Sequence, residues 1–153
     1  MIKITDTHLH IGDEVGVSDW HKVTQDHINK FAELCGHDQW IHTDAERCKK
    51  ESPYGSTIAQ GFLILSLIDN MQDEAITPVG CHHGVNYGFN HIRFVSVVPV
   101  DSNIRARFVV NNYRSLSEHS FKNFEVEWGV TVEREGAEKP VCVMKWLTRY
   151  YRE

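Results

Sequence analysis

One segment of the chain is apolar on nearly every face of a helix, and this limits the folds available to it. Between Ile58 and Met71 the apolar side chains leave almost no polar stripe; they are Ile58, Ala59, Phe62, Leu63, Ile64, Leu65, Leu67 and Ile68. Pro53 and Gly55 indicate a loop before the segment, and Ser56 or Thr57 can cap the helix. A helix that is apolar all round is a buried helix, so other elements must surround this one.

The second half of the chain supplies that surrounding layer as β-strands. The segment NFEVEWGVTVERE, at 123–135, alternates between apolar and polar residues, which is typical of a half-buried antiparallel strand. NIRARFVV, PVCVMKWLTRYY and VNYGFNHIRFVSVVPV also indicate strands, and GAEK at 136–139 predicts a turn. A buried helix with a long antiparallel sheet is an α+β arrangement, most economically with the sheet curled around the helix. Such half-barrels commonly pair to protect their edges.

A second helix is predicted near the N-terminus, in TQDHINKFAELCG. Thr24 is a suitable N-cap, and Gly36 is a suitable residue to close the helix at its C-terminal end. Four residues recur at the spacing of one buried helix face; they are Ile28, Phe31, Ala32 and Cys35.

Length and composition predict one domain spanning residues 1–153. The formal net charge of -5 argues against a nucleic-acid partner, which would need a basic face. The longest apolar stretch, IAQGFLILSLI, is shorter than the roughly 20 residues of a membrane span. The N-terminus is polar rather than signal-like, and the cysteines form no C-x-x-C pair. We therefore expect a soluble, cytoplasmic protein with free thiols and neither a membrane nor a nucleic-acid partner.

Two histidine-containing motifs suggest metal binding but fit it poorly. TDTHLH has the spacing of barrel metallohydrolases, yet such barrels need about 250 residues. Cys81, His82 and His83 are adjacent and have no second ligand pair at finger-like spacing. We predict no metal site, with His8 and His10 exposed on an edge segment.

The segment GHDQWIHTD concentrates titratable groups in a short loop. His37, Asp38 and His42 surround Trp40 there. A carboxylate and an imidazole that touch the same water are the apparatus of general acid–base catalysis. The alternative is structural: Asp38 caps a turn and His42 makes a buried hydrogen bond. Spacing alone leaves both open.

Four segments between Gly12 and about Arg105 together carry a resemblance to a known family; in chain order they are IGDEVGVSDWHKVTQDHINKFAELCG, DQWIHTDAERC, SPYGSTIAQGFLILSL and VNYGFNHIRFVSVVPV. On these segments the chain resembles the MaoC-like dehydratases, and most closely their nodulation-protein-N-like branch. This resemblance implies a hot-dog fold, in which an antiparallel sheet is rolled around one long helix, and a homodimer.

The resemblance further implies a lyase that reversibly hydrates 2-enoyl thioesters to (R)-3-hydroxyacyl thioesters. The thioester is carried by coenzyme A or an acyl-carrier protein, so coenzyme A is part of the substrate and no separate cofactor is expected. In the family an aspartate and a histidine hold the water, and a backbone N–H at the start of the central helix donates to the thioester oxygen. The matching positions here are His42 and Gly61.

Two departures from the family pattern occur at these positions. The family aspartate directly follows the glycine, whereas here the order is Gly36, His37, Asp38. Asp38 can still reach the water, His37 can replace the carboxylate, or the water site is lost. The third outcome would leave a non-catalytic acyl-thioester-binding protein. The second departure is Gln60, where the family usually has histidine.

Two further residues are candidates for the substrate site. Trp40 either packs the loop or shapes the acyl pocket. Gly88 either lets the backbone approach the thioester or allows strand curvature. A hot-dog thioesterase would need a carboxylate beside the thioester, and Asp69 is the only acid well inside the predicted helix.

Overall fold

A computed structural model describes residues 1–117 and 123–152 of the chain. A 3₁₀ helix at Ile4–Leu9 precedes two short strands, β1 (Glu14–Val17) and β2 (His21–Val23). Five helices follow: α1 (Gln25–Cys35), α2 (Trp40–Thr43), α3 (Ala45–Glu51), α4 (Gly61–Ser66) and α5 (Ile68–Ala75). The long strands come last: β3 (His83–Phe94), β4 (Ser102–Ser115), β5 (Asn123–Arg134) and β6 (Cys142–Tyr151).

The six described strands form one antiparallel sheet in the order β1-β4-β5-β6-β3, and β2 also pairs with β4. The predicted alternation in β5 is confirmed, since one face is almost fully buried; it consists of Phe124, Val126, Trp128, Val130 and Val132. The predicted turn at 136–139 lies between β5 and β6, as expected. These inner faces and the helices α4 and α5 share one core, so the prediction of an α+β fold is confirmed.

The central helix differs from the sequence prediction in three respects. It begins at Gly61 with Gln60 as its N-cap residue, and not at Ile58 after a cap at Ser56 or Thr57. It consists of α4 and α5, which meet at Leu67, where the N–H bonds to the Ile64 carbonyl in a tighter turn. It is also not covered on all sides, because Phe62 is 70% exposed. The sheet covers one side of the helices, and Leu63, Ile64 and Met71 face the core there.

The helix α1 begins and ends as predicted. The Thr24 hydroxyl accepts from the His27 N–H, and the His27 ring accepts from the Thr24 N–H, which completes a capping box. Gly36 has the left-handed φ of 63° that favours glycine. Ile28 and Ala32 are buried, but Cys35 at the end of the expected face is exposed.

The four cysteines are free thiols, as predicted. The helices formed by the described residues include none that is long and apolar enough to cross a membrane. Most of the segment TDTHLH lies in the 3₁₀ helix. His8 is exposed there as predicted, but His10, at the end of the helix, is half-buried and the prediction for it was wrong.

Candidate active site

His42 and Gly61 line the same cavity. This cavity has a volume of about 350 Å³ and lies between the start of α4 and the end of β3. Its remaining walls are mostly apolar and include Phe62, Ile64 and Phe94. The cavity thus combines one titratable ring and one helix-start amide with a lining that suits a hydrocarbon chain.

A single hydrogen bond fixes the protonation pattern of the His42 ring. Its Nδ1 lies 2.7 Å from the carbonyl oxygen of Ile58. Because a carbonyl can only accept, Nδ1 must carry the proton, and in the neutral ring Nε2 holds a free lone pair. Nε2 has no hydrogen-bond partner within residues 1–117 and 123–152. His42 is therefore set up to accept a proton at Nε2.

Gly61 offers an unused backbone donor. It is the first residue of α4, and the preceding Gln60 makes no capping bond to it. No acceptor in the described part of the chain receives its N–H, as is usual in the first turn of a helix. A Cβ at this position would lie 2.9 Å from the Phe94 ring, so any other residue here would require the ring or the helix start to shift.

The loop after α1 brings His37, rather than Asp38, toward His42. The two imidazole rings have centroids 6.2 Å apart and are tilted by 52°. His37 itself is exposed and is not among the residues that line the cavity. Asp38 instead lines a separate open hollow beside Asn29 and Glu33 of α1. The cause is the end of α1, where the N–H of His37 bonds back to the Ala32 carbonyl at 2.9 Å and sets the direction of the loop.

Three other predicted site residues lie away from the described lining of this cavity. The Trp40 ring packs under the Arg47 guanidinium, whose Cζ lies 4.3 Å from the centre of the ring. The buried Gln60 donates to the Ile28 carbonyl at 3.1 Å and so joins α1 to the start of α4. Gly88 lies in β3 beside a shift in the strand register after Asn86. Such a shift bends a strand, so this position favours the alternative in which Gly88 allows strand curvature.

Sequence reasoning did not single out two residues that shape the site. Phe94 lines the cavity and contacts the Phe62 ring edge-on, with centroids 6.3 Å apart. Gln25 bonds to the backbone of His42. Both lie within segments that carry the family resemblance, but neither has a side chain that performs acid–base chemistry, so spacing gave no reason to choose them.

Metal ligation has no support in the part of the chain that is described. There, no group of three or more histidine, cysteine, aspartate or glutamate side chains is close enough to hold an ion. The prediction that no metal is needed stays a prediction.

The curled sheet and its central helices define a hot-dog protein, in which His42 and Gly61 line one cavity. The family model described as MaoC like domain matches residues 6–134. The chain belongs to the MaoC-like domain family.

Curated relatives and a solved structure agree with this assignment. The chain is 38% identical over 147 residues to 3-hydroxyacyl-thioester dehydratase Z of Mycobacterium tuberculosis (strain H37Rv), covering 96% of this chain and 95% of that protein. It is 37% identical over 151 residues to Nodulation protein N of Rhizobium leguminosarum bv. viciae, covering 96% and 90%. A MaoC-like dehydratase from Rhodospirillum rubrum shares the fold, with a TM-score of 0.78, 17% identity and coverage of 100% and 99%. The protein is a hydratase-type lyase, as the resemblance implied.

Proposed function

We propose that this protein is an (R)-specific hydratase/dehydratase acting on 2-enoyl and 3-hydroxyacyl thioesters. The thioester is carried by coenzyme A or an acyl-carrier protein, and no separate cofactor takes part. The observation that supports this function best is the shared cavity of His42 and Gly61, in which a free Nε2 and a free N–H accompany an apolar lining. The similarity to a protein named 3-hydroxyacyl-thioester dehydratase favours the same substrate class.

In this proposal His42 is the base for hydration. Its Nε2 takes a proton from water while the water oxygen bonds to C3 of the enoyl thioester. The electron pair of the double bond moves toward the thioester oxygen. As this pair returns, C2 takes the proton held at Nε2 of His42, which restores the neutral ring. Dehydration runs through the same steps in reverse. General acid–base catalysis of this kind typically contributes about 10²–10⁴-fold in rate.

Gly61 stabilises the charge that develops during this addition. Its N–H donates to the thioester oxygen, which becomes negative as water attacks. A preorganised donor of this type is commonly worth about 3 kcal/mol in the transition state. The acyl chain lies against the apolar wall that includes Ile64 and Phe94.

His37 is the second imidazole of the water site in this proposal. Its ring lies 6.2 Å from the His42 ring between centroids, while Asp38 lines another hollow. A neutral imidazole can accept or donate one hydrogen bond to a shared water, as a carboxylate would accept one.

Hydration of crotonyl-CoA tests the proposal, followed as the loss of absorbance of the conjugated thioester. The wild-type protein should turn over the substrate, and His42→Ala should lose about 10²-fold or more. His8→Ala is the matched control, because His8 is an exposed histidine on the 3₁₀ helix, outside both the cavity lining and β3. Saturable binding of crotonyl-CoA without turnover would contradict the proposal and favour the alternative of a non-catalytic thioester-binding protein.

We also propose that the protein acts as a homodimer through the outer edge of β3. Among the described strands β3 pairs only with β6, and most of its twelve residues are exposed. An apolar surface flanks this edge, which we call the β3 patch; it consists of Phe62, Leu65, Phe89 and Phe94. Long apolar edges of this kind are normally covered by another chain.

Sedimentation equilibrium tests the dimer. We expect a mass of twice the 17.7 kDa of the chain at micromolar concentration. Phe62→Glu should shift the equilibrium toward monomer, because it places a charge within the β3 patch. Leu34→Glu is the control, since Leu34 is 83% exposed on α1 and outside the patch. A wild-type protein that sediments as a monomer throughout would refute the proposal.

A further inference from the structure

The amide of Gln25 connects the two segments that hold the His42 ring. Its Nε2 donates to the His42 carbonyl at 2.8 Å, and its Oε1 accepts from the Thr57 hydroxyl at 2.5 Å. Gln25 is the first residue of α1, and Thr57 lies in the segment that leads into α4. One side chain therefore ties together three parts of the chain that are distant in sequence.

The orientation of this amide is fixed by its partners. Nε2 has a second acceptor, the Oδ1 of Asn29 at 2.9 Å, so both of its N–H groups are used. Carbonyl oxygens only accept hydrogen bonds, and Oε1 must therefore face the Thr57 hydroxyl, which donates. Thr57 is only 1% exposed, so its hydroxyl depends on protein partners such as Gln25.

The two segments tied by Gln25 are those that bond to each other around the imidazole. Ile58 follows Thr57 directly; its carbonyl accepts from Nδ1 of His42, and its N–H donates to the Ile41 carbonyl at 3.2 Å. The bond from Nδ1 of His42 to the Ile58 carbonyl selects the tautomer of the ring. The Gln25 amide holds both partners of this bond, through the His42 carbonyl on one side and through Thr57, next to Ile58, on the other. Without this amide, the hydrogen bonds described between the His42 segment and the Thr57 segment would be the two made by the backbone of Ile58.

We infer that Gln25 is a positioning residue for the reaction, which keeps the His42 ring in its Nδ1-protonated form with Nε2 turned to the substrate. This inference rests on the proposed function of His42 as the base. Gln25 contacts the backbone of His42 and not the reacting atoms. Its loss should therefore lower kcat through a misplaced or wrongly protonated ring, while substrate binding changes little.

Two measurements on Gln25→Ala test this role. The first is kcat and KM for crotonyl-CoA hydration, where we expect kcat to fall about tenfold to 100-fold, the effect of a displacement of roughly 1 Å, and KM to stay within about twofold. The second is the ¹⁵N chemical shifts of the His42 ring nitrogens in the substrate-free protein. The wild type should show a pyrrole-like Nδ1, and the variant should show values averaged between the two tautomers.

Variants at Thr57 and Asp26 complete the experiment. Thr57→Val removes only the hydroxyl given to Gln25 and should lower kcat in the same direction, whereas Thr57→Ser should restore the wild-type value and ring shifts. This pair decides the question if Gln25→Ala does not fold. Asp26→Ala is the control on the same helical turn, because Asp26 bonds to Lys30 instead.

The outcomes separate this inference from the proposed function. Ring shifts that remain those of the wild type in Gln25→Ala and Thr57→Val would overturn it, as would a loss confined to KM. If the wild type does not hydrate crotonyl-CoA, the NMR comparison alone decides whether Gln25 controls the ring, since it needs no substrate.

Discussion

Nδ1 of His42 and the carbonyl oxygen of Ile58 lie 2.7 Å apart, and this bond relates the proposed base to the start of the central helix. Ile58 lies three residues before Gly61, so the same segment carries the acceptor for the ring and the proposed donor for the thioester. The position of the proposed base is thereby coupled to the position of the proposed donor. This coupling leads to the predictions that follow.

His37 and Asp38 should differ in their effect on activity. His37→Ala removes the ring that lies 6.2 Å from the His42 ring, and we expect kcat to fall about tenfold or more. Asp38→Ala should leave kcat within about twofold, because Asp38 lines the hollow beside α1 and not the cavity of His42. Steady-state hydration of crotonyl-CoA by both variants checks this. A larger loss of kcat in Asp38→Ala than in His37→Ala would contradict this and indicate that the Asp38 carboxylate holds the water.

Gly61→Ala should impair activity through contact with Phe94. The added methyl group would lie 2.9 Å from the Phe94 ring, so the ring must move into the cavity or the helix start must shift. We expect kcat/KM to fall by about 10²-fold, the effect of losing one well-placed donor. The double variant Gly61→Ala/Phe94→Leu should recover part of the loss, because leucine removes the contact.

A double-mutant cycle measures this recovery. Phe94→Leu alone serves as the control for the change in cavity lining. Strictly additive losses in kcat/KM for the two substitutions would show that the Phe94 ring does not constrain position 61.

Only one thiol should react rapidly in the native protein. Cys35 is exposed, whereas burial raises the pKa of Cys142 to about 11 and keeps it protonated at neutral pH. Burial, followed by the nearby charge of Asp44, also raises the pKa of the Cys48 thiol. Cys81 is half-buried, and burial raises the pKa of its thiol as well. Labelling with a chromogenic disulfide at about pH 7.5 should show one rapidly reacting thiol per chain, which Cys35→Ser abolishes. Fast labelling of Cys142 without unfolding would contradict the packing described for β6.

The fold was largely predictable because its patterns are local and repeated. The alternation in β5 and the caps of α1 at Thr24 and Gly36 state their structure within a few residues. The exposure of Phe62 was not predictable, because it depends on which side of the helix the sheet covers. An apolar sequence cannot distinguish a residue buried within its own chain from one available to a second chain.

The candidate site was predictable in part. The pairing of His42 with Gly61 in one cavity followed from the resemblance, but the choice between His37 and Asp38 depended on how the chain leaves α1. That direction is set by the hydrogen bond from the His37 N–H to the Ala32 carbonyl. Because this bond joins two backbone groups, the side chains of the loop do not reveal it in the sequence. Gln25 escaped notice because its role arises from two contacts that are remote in sequence.

The most direct test of the account is a crystal structure of the protein with bound 3-hydroxybutyryl-CoA. We predict that Nε2 of His42 and the 3-hydroxyl oxygen lie about 3 Å apart, and that the Gly61 nitrogen lies at a similar distance from the thioester oxygen. A ligand whose hydroxyl contacts Asp38, or whose thioester lies outside the cavity of His42 and Gly61, would contradict it.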